Sequence, residues 1–380
     1  MFFLSFMIWG ADPEIFVFPE WLPFISGRPV RWYGLLFALG FLISQQIMFY
    51  IYRNESKPEK DVETLTIFMV IATILGARLG HVFFYEPDKY LANPIDILKI
   101  WEGGLASHGA AFGILLALWL YTKYDISWKF QFKKVSRPNQ NWLQVVDRIV
   151  IVVALTGCLI RMGNFMNSEI YGVPTGSGYG VVFSKNLHDT FLKDSSPIEK
   201  ISAEHAQKEI ENKEGYVPLT LEIAFKNQPE ILTEGSLKKY LEGRFTNILF
   251  DYPYLNNHIL ITDHKLEYTL NKNTDGSFNA AVSAYGISRH PTQLYEASTS
   301  LMIFILLFLI WNKMRIKTPD GLLLGIFLIL LFGLRFVHEL FKENQVSFED
   351  TMAFNMGQLL SIPLILGGLF ILVRALRLKK

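Results

Sequence analysis

Cysteine, charge and acidic clusters are scarce in this sequence. Its 380 residues include one cysteine, Cys158, so an intramolecular disulfide and a cysteine metal cluster are both excluded, and the redox compartment cannot be read. Cys158 lies inside an apolar run with no basic neighbour to favour a thiolate, which makes it a packing residue. Charged residues make up 19% of the chain, where a soluble domain carries about 25%. No cluster of carboxylates suggests a divalent metal, and no glycine loop suggests a nucleotide; no cofactor and no nucleic acid are expected. Met1 to Gly10 has neither a basic n-region nor a small-residue cleavage site, so a cleaved signal peptide is not expected. An internal repeat is missing too, which removes the usual mark of an inverted-repeat transporter.

Apolar residues are abundant instead: 51% of the chain, with 31 Phe, 16 Tyr and 8 Trp. They fall in runs of about 18–22 residues, the length a helix needs to cross ~30 Å of hydrocarbon. Seven spans are expected, near 32–52, 64–85, 105–122, 147–165, 294–312, 321–341 and 353–373. The third is the weakest, because Gly103, Gly104, His108 and Gly109 dilute its start. Basic residues concentrate on one side: Arg53, Lys57 and Lys60; Lys123, Lys129, Lys133, Lys134 and Arg137; Lys313, Arg315 and Lys317; then Arg374, Arg377, Lys379 and Lys380. The opposite short segments hold only Arg28, Arg31, Lys89, Lys99 and Lys342. Basic loops face the cytoplasm. The expected fold is an α-helical polytopic membrane protein, seven transmembrane helices, N-terminus outside and C-terminus in the cytoplasm.

Residues 166–293 are too many for a structureless loop. Pro197 to Lys213 and Gly235 to Gly243 read as short amphipathic helices, while Val217 to Phe225 and Ile259 to Leu270 alternate as strands do. A small α+β extracytoplasmic head is expected. Gly172 to Gly180, with four glycines and a proline, reads as a mobile connector. The division is then 1–183 for helices one to four and the start of the head, 184–285 for the head insertion, and 286–380 for helices five to seven and the tail.

The segment Arg161-Met-Gly-Asn-Phe-Met-Asn-Ser-Glu-Ile-Tyr-Gly172 lies where a long apolar run gives out. A charge at the bilayer centre costs about 2.5–3.5 kcal/mol on insertion scales, so such a cluster belongs to a pair, a wet cavity or a site. Arg161, Asn164 and Ser168 share a face if the helix persists that far, and Asn167 and Glu169 follow. Arg335 and Glu339 are four apart, close enough to pair; Arg78 and His81 are three apart. His108 and His290 stand at the edges of spans. His188, His205, His258 and His264 show no metal-ligand spacing. Arginines at the outer ends of spans suit phosphate, whose oxygens match the guanidinium fork.

In combination and in chain order, Trp32-Tyr-Gly34, Gly103-Gly-Leu-Ala-Ser-His-Gly109, the Arg161–Gly172 segment, Arg289-His-Pro-Thr-Gln-Leu-Tyr-Glu296, Phe332-Gly-Leu-Arg-Phe-Val-His-Glu-Leu-Phe341 and Met356-Gly-Gln-Leu-Leu-Ser-Ile-Pro363 closely resemble the bacterial prolipoprotein diacylglyceryl transferases. The match covers about 28–183 and 285–375. It departs at Ile160, where the family has Gly, and at His108-Gly109-Ala110, where it has His-Gly-Gly. The resemblance implies transfer of the sn-1,2-diacylglyceryl group from phosphatidylglycerol to the lipobox cysteine of prolipoproteins in the bacterial cytoplasmic (inner) membrane, with the active site toward the outer face. It assigns Arg161 and Arg335 to the headgroup and leaving phosphate, and His108 to the general base, with His290 second. Tyr33, Asn164, Asn167, Glu169, Gly172, Glu296 and Glu339 would shape and orient the site. No function transfers to the head.

Two rival classes are a transporter of an anionic solute with the same arginines along a pore, and a membrane anchor presenting the head. The absent repeat and the outer-end clustering of polar groups oppose the first. The intramembrane arginines oppose the second.

Overall fold

The computed structural model describes residues 6–22, 26–99, 103–104, 106–126, 132–192, 196–206, 214–228, 230–261, 266–343, 349 and 352–378. The chain is mostly helical and divides into two units. One comprises Met1–Leu36, Arg161–Glu296 and Val337–Asn355; the other comprises Phe37–Ile160, Ala297–Phe336 and Met356–Lys380.

Among the described residues, six helices are long and apolar enough to cross a membrane: Trp32–Asn54, Glu59–Phe84, Trp142–Met166, Thr292–Lys317, Leu322–Phe341 and Met356–Arg377. The third expected span is the helix Ser107–Lys123, whose 17 residues at 1.5 Å each reach only ~25 Å. Its start is set by close packing on Glu59–Phe84. A Cβ on Gly80 would lie 2.7 Å from the Gly109 Cα, and one on Gly113 would lie 3.1 Å from the Gly76 Cα. Glycines four apart on both helices thus let the two backbones touch, the small-residue contact of membrane helices.

The helical unit is built around buried apolar side chains, including Trp311, Tyr52, Leu118 and Ile151. A buried ion cluster lies within it. Arg148, fully buried, donates to the Glu55 carboxylate at 2.7 and 2.9 Å, and Glu55 also accepts from Trp311 at 2.8 Å and Lys57 at 2.6 Å. Burial alone would raise the Glu55 carboxyl, but Arg148 and Lys57 together hold it below the usual range. Asp147 accepts from the backbone of Gly321 and Leu324, tying down the N-terminus of the helix Leu322–His338.

The other unit has its own core. Val217, Leu219, Leu221, Ile223 and Phe225 each expose 2% or less, the period of two expected of a half-buried strand. That strand lies between Ile198–His205 and Phe278–Gly286, which in turn pairs with Tyr268–Lys272 and with the short strand Ile259–Leu260, all antiparallel. Leu237, Leu241, Phe245 and Leu249, four apart, bury one side of the helical stretch Glu234–Asp251 and belong to the same core. Thr233 and Ser236 cap its start reciprocally.

Three local expectations are corrected. Pro197 to Lys213 holds a strand, Ile198–His205, where a helix was expected; 207–213 lie outside the described residues. A register shift between Ile198 and Lys200 brings Ile198 and Ile201, three apart, to the same buried face, and this mimics helical spacing. Ile259 to Leu270 holds not one strand but the two-residue strand Ile259–Leu260 and the beginning of Tyr268–Lys272, with 262–265, His264 among them, outside the described residues. Gly172 to Gly180 is pinned, not free: Gly172 bridges to Lys342, Pro174 bridges to Arg289, and the Thr175 amide donates to the Ser288 carbonyl at 2.8 Å.

Candidate active site

Arg161 stands in the last turns of the helix Trp142–Met166. Two residues on, Gly163 passes so close to the first turn of Trp32–Asn54 that a Cβ there would lie 2.9 Å from the Tyr33 Cα. The helix then stops. Ser168 (φ 53°) and Ile170 (φ 58°) take left-handed backbone, which a β-branched residue adopts only under constraint. The constraint is visible: Gln293 donates to the Glu169 carbonyl at 2.7 Å and Thr292 to the Ile170 carbonyl at 3.0 Å. Ser168 therefore leaves the helical face it was expected to share with Arg161 and Asn164.

This turn folds the signature back on itself. Glu169 Oε1 accepts from Asn164 Nδ2 at 2.8 Å and from Asn167 Nδ2 at 3.3 Å, and Asn164 Oδ1 accepts from Arg161 at 3.3 Å. Arg161 Nε lies 2.5 Å from Glu296 Oε2. The other oxygen of Glu296 meets Lys342 Nζ at 2.6 Å, and Lys342 also reaches Glu339 Oε1 at 3.0 Å. Glu339 Oε2 accepts from Asn355 at 3.3 Å. Arg161 is 27% exposed, whereas Glu296 and Lys342 are nearly sealed at 9% and 6%. A half-open guanidinium on a buried carboxylate leaves donor capacity for a further anion.

A strap formed by Gly172 and Val173 runs beside this cluster. The Gly172 amide donates to the His290 carbonyl at 2.9 Å, the Val173 amide to the Phe341 carbonyl at 2.9 Å, and the His290 amide to the Val173 carbonyl at 3.1 Å. A Cβ on Gly172 would meet the Phe341 carbonyl oxygen and lie 2.7 Å from both the Cβ and the carbonyl oxygen of His290. His290 Nδ1 sits 3.2 Å from the hydroxyls of Tyr179 and Tyr295, which also contact each other. Burial lowers the His290 pKa and favours its neutral, proton-accepting form.

Tyr33, Arg161, Asn164, Asn167, Glu169, Gly172, His290, Glu296 and Glu339 thus belong to one unit. His108 and Arg335 belong to the other. His108, half-buried at the start of Ser107–Lys123, packs against the rings of Phe84 and Tyr85. Arg335 is exposed on Leu322–His338. Arg78 is structural: buried, it donates to the carbonyls of Asp96, Ile97 and Gly103.

The family model for prolipoprotein diacylglyceryl transferase matches residues 21–374. The chain belongs to the prolipoprotein diacylglyceryl transferase family. It is 32% identical over 367 residues to the phosphatidylglycerol--prolipoprotein diacylglyceryl transferase of Tolumonas auensis, covering 97% of this chain and 96% of the relative. The enzymes of the same name from Chloroherpeton thalassium and Porphyromonas gingivalis are 29% and 30% identical, each covering 98% of this chain and 96% of the relative.

Three residues in or beside the cluster do not stand out in the sequence. In the sequence Lys342 reads only as a loop charge, although it follows directly on the Phe332–Phe341 motif of the transferase family. Arg289, one residue before His290, opens a family-like motif, but nothing in the sequence assigns it a role. His258 shows no metal-ligand spacing in the sequence, yet its Nε2 lies 2.9 Å from the Tyr171 hydroxyl.

Proposed function

We propose that the chain transfers the sn-1,2-diacylglyceryl group of phosphatidylglycerol to the lipobox cysteine thiol of prolipoproteins, the first step of lipoprotein maturation. The observation that carries this reading is the half-open Arg161 held on buried Glu296, inside a chain matched to the transferase family from residue 21 to 374. The relatives' names supply both substrates, phosphatidylglycerol and a prolipoprotein.

The chemistry balances without a cofactor. The thiol, with an ordinary pKa of about 8.5, gives its proton to a base. The sulfur forms a C–S bond to the glyceryl carbon as that carbon's bond to the phosphate oxygen breaks, and the electron pair leaves on glycerol phosphate. Arg161 and Arg335 are assigned to the phosphate, since the fork of a guanidinium stabilises the charge that grows there. His108 is assigned as base, with His290 second. Tyr33, Asn164, Asn167, Glu169, Gly172, Glu296 and Glu339 shape the site.

The reading includes seven spans, with Ser107–Lys123 completing the six longer helices, the N-terminus outside and residues 184–285 as an extracytoplasmic α+β head in the inner membrane. The clustered basic loops support it. Purified protein mixed with phosphatidylglycerol and a lipobox peptide should add one diacylglyceryl mass to the cysteine and release glycerol phosphate. A protein that only moves an anionic solute would leave the peptide mass unchanged.

A further inference from the structure

Tyr171 belongs to the signature segment, and its side chain meets His258. Its hydroxyl lies 2.9 Å from His258 Nε2, and the two rings meet edge to face with centroids 4.7 Å apart. The guanidinium of Arg289 lies over the Tyr171 ring, 5.0 Å from its centre. Arg289 is 2% exposed and bound on all sides. It donates to the Asn257 carbonyl through Nε at 3.1 Å and Nη2 at 2.7 Å, and through Nη1 to the Gly172 carbonyl at 3.1 Å and to Glu343.

His258 is itself anchored by the main chain. Its amide donates to the Leu255 carbonyl and its carbonyl accepts from Ile287, both at 2.8 Å. It exposes 1% of its surface. Burial, then the Arg289 charge, push its pKa down to about 3, so the ring stays neutral and acts as a hydrogen-bond partner, not a charge.

We propose that His258, with the Asn257 carbonyl beside it, is a positioning residue for the transferase site: it fixes Tyr171, and through Tyr171 and Arg289 it sets the Gly172 strap that carries His290. Residues 257 and 258 lie inside the insertion 184–285, so that insertion shares in building the site and is not an appendage to it. The inference rests on the reaction proposed above and adds a dependence that the reaction alone does not require.

The test compares full-length wild-type protein with Tyr171→Phe, His258→Leu, His258→Gln and the double variant Tyr171→Phe/His258→Leu, using phosphatidylglycerol vesicles and a lipobox peptide. Tyr171→Phe and His258→Leu should each lower kcat about tenfold, the loss of one buried hydrogen bond, while KM for phosphatidylglycerol stays within about twofold. The double variant should be no worse than either single, because both remove the same contact. His258→Gln, whose amide reaches the place of Nε2, should recover most of the loss. Wild-type kcat in Tyr171→Phe overturns the inference, as do losses that multiply in the double variant. If His258→Leu does not fold, Tyr171→Phe and His258→Gln decide alone: slow turnover in the first with near-normal turnover in the second supports the inference, and any other pairing overturns it. Absence of transfer by the wild type would overturn the assigned reaction itself and is seen before any variant is compared.

Discussion

Arg161 Nε lies 2.5 Å from Oε2 of Glu296, and the opposite oxygen of that carboxylate holds Lys342 Nζ at 2.6 Å. One buried anion therefore keeps two cations in place. Its removal would leave a buried ammonium and a guanidinium without their shared counter-charge, which in buried pairs costs about 3–5 kcal/mol.

Glu296→Gln should accordingly lower transfer by roughly 100-fold, the kinetic equivalent of the lower end of that range. The measurement is turnover per molecule of membrane-inserted protein, with insertion quantified on the same samples. Near-normal turnover in Glu296→Gln would mean that Arg161 keeps its place without the carboxylate.

Arginine geometry should matter more than charge at positions 161 and 335. A lysine supplies a point charge but no fork, so Arg→Lys should fail nearly as badly as Arg→Ala at both sites. Peptide lipidation by each variant at equal membrane level checks this. Lysine variants close to wild type would reduce the role of both arginines to charge alone.

How far the sequence discloses the molecule depends on the period of each segment. Six of the seven apolar runs, and the unbroken two-residue alternation of Val217–Phe225, predict the observed elements; the third run, diluted by glycines, gives only the shorter helix Ser107–Lys123. Ile198–His205 deceives because a bulge shifts its alternation by one residue. The Gly172–Gly180 stretch looks like a linker because its ties are backbone bridges to residues more than a hundred positions away, which local composition does not encode. The site divides similarly. Arg161, Asn164 and Glu169 declare themselves by polarity at the end of an apolar run. Lys342 and His258 look ordinary in the sequence, and acquire a role only when the fold brings Glu296 and Tyr171 to them.

Gly172→Ala tests the strap. The added methyl would meet the Phe341 carbonyl oxygen and lie 2.7 Å from His290, so one of the two neighbours must move. Overpacking of this kind costs about 1–3 kcal/mol. Transfer should drop by at least about tenfold while the protein still inserts and purifies. Wild-type transfer in Gly172→Ala would show that the strap has room that the close approach does not suggest.

His258 should also leave a mark on the pH dependence of stability. Its folded pKa, about 3, lies below the ~6.5 of a free imidazole, so in acid the unfolded chain binds a proton that the folded chain refuses. The associated stability is intact above about pH 6.5 and is lost as pH falls toward 3, at up to about 1.4 kcal/mol per pH unit. Unfolding midpoints in detergent should therefore fall more between pH 7.5 and 5 for wild type than for His258→Gln. Parallel decreases in the two proteins would show that another group controls the acid sensitivity.

The topology follows from charge and can be tested at two surface positions. Ser136 is exposed in a basic segment expected in the cytoplasm, and Thr274 is exposed at the hairpin between Tyr268–Lys272 and Phe278–Gly286, expected outside. Cys158 is the chain's one native thiol, so a Cys158→Ser background isolates each introduced cysteine. An impermeant thiol reagent applied to intact cells, with the outer membrane permeabilised where one is present, should label Thr274→Cys and spare Ser136→Cys; both should react once the inner membrane is opened. Labelling at 136 with protection at 274 would invert the molecule and place the Arg161–Glu296 cluster toward the cytoplasm, which is incompatible with modification of a precursor at the outer face.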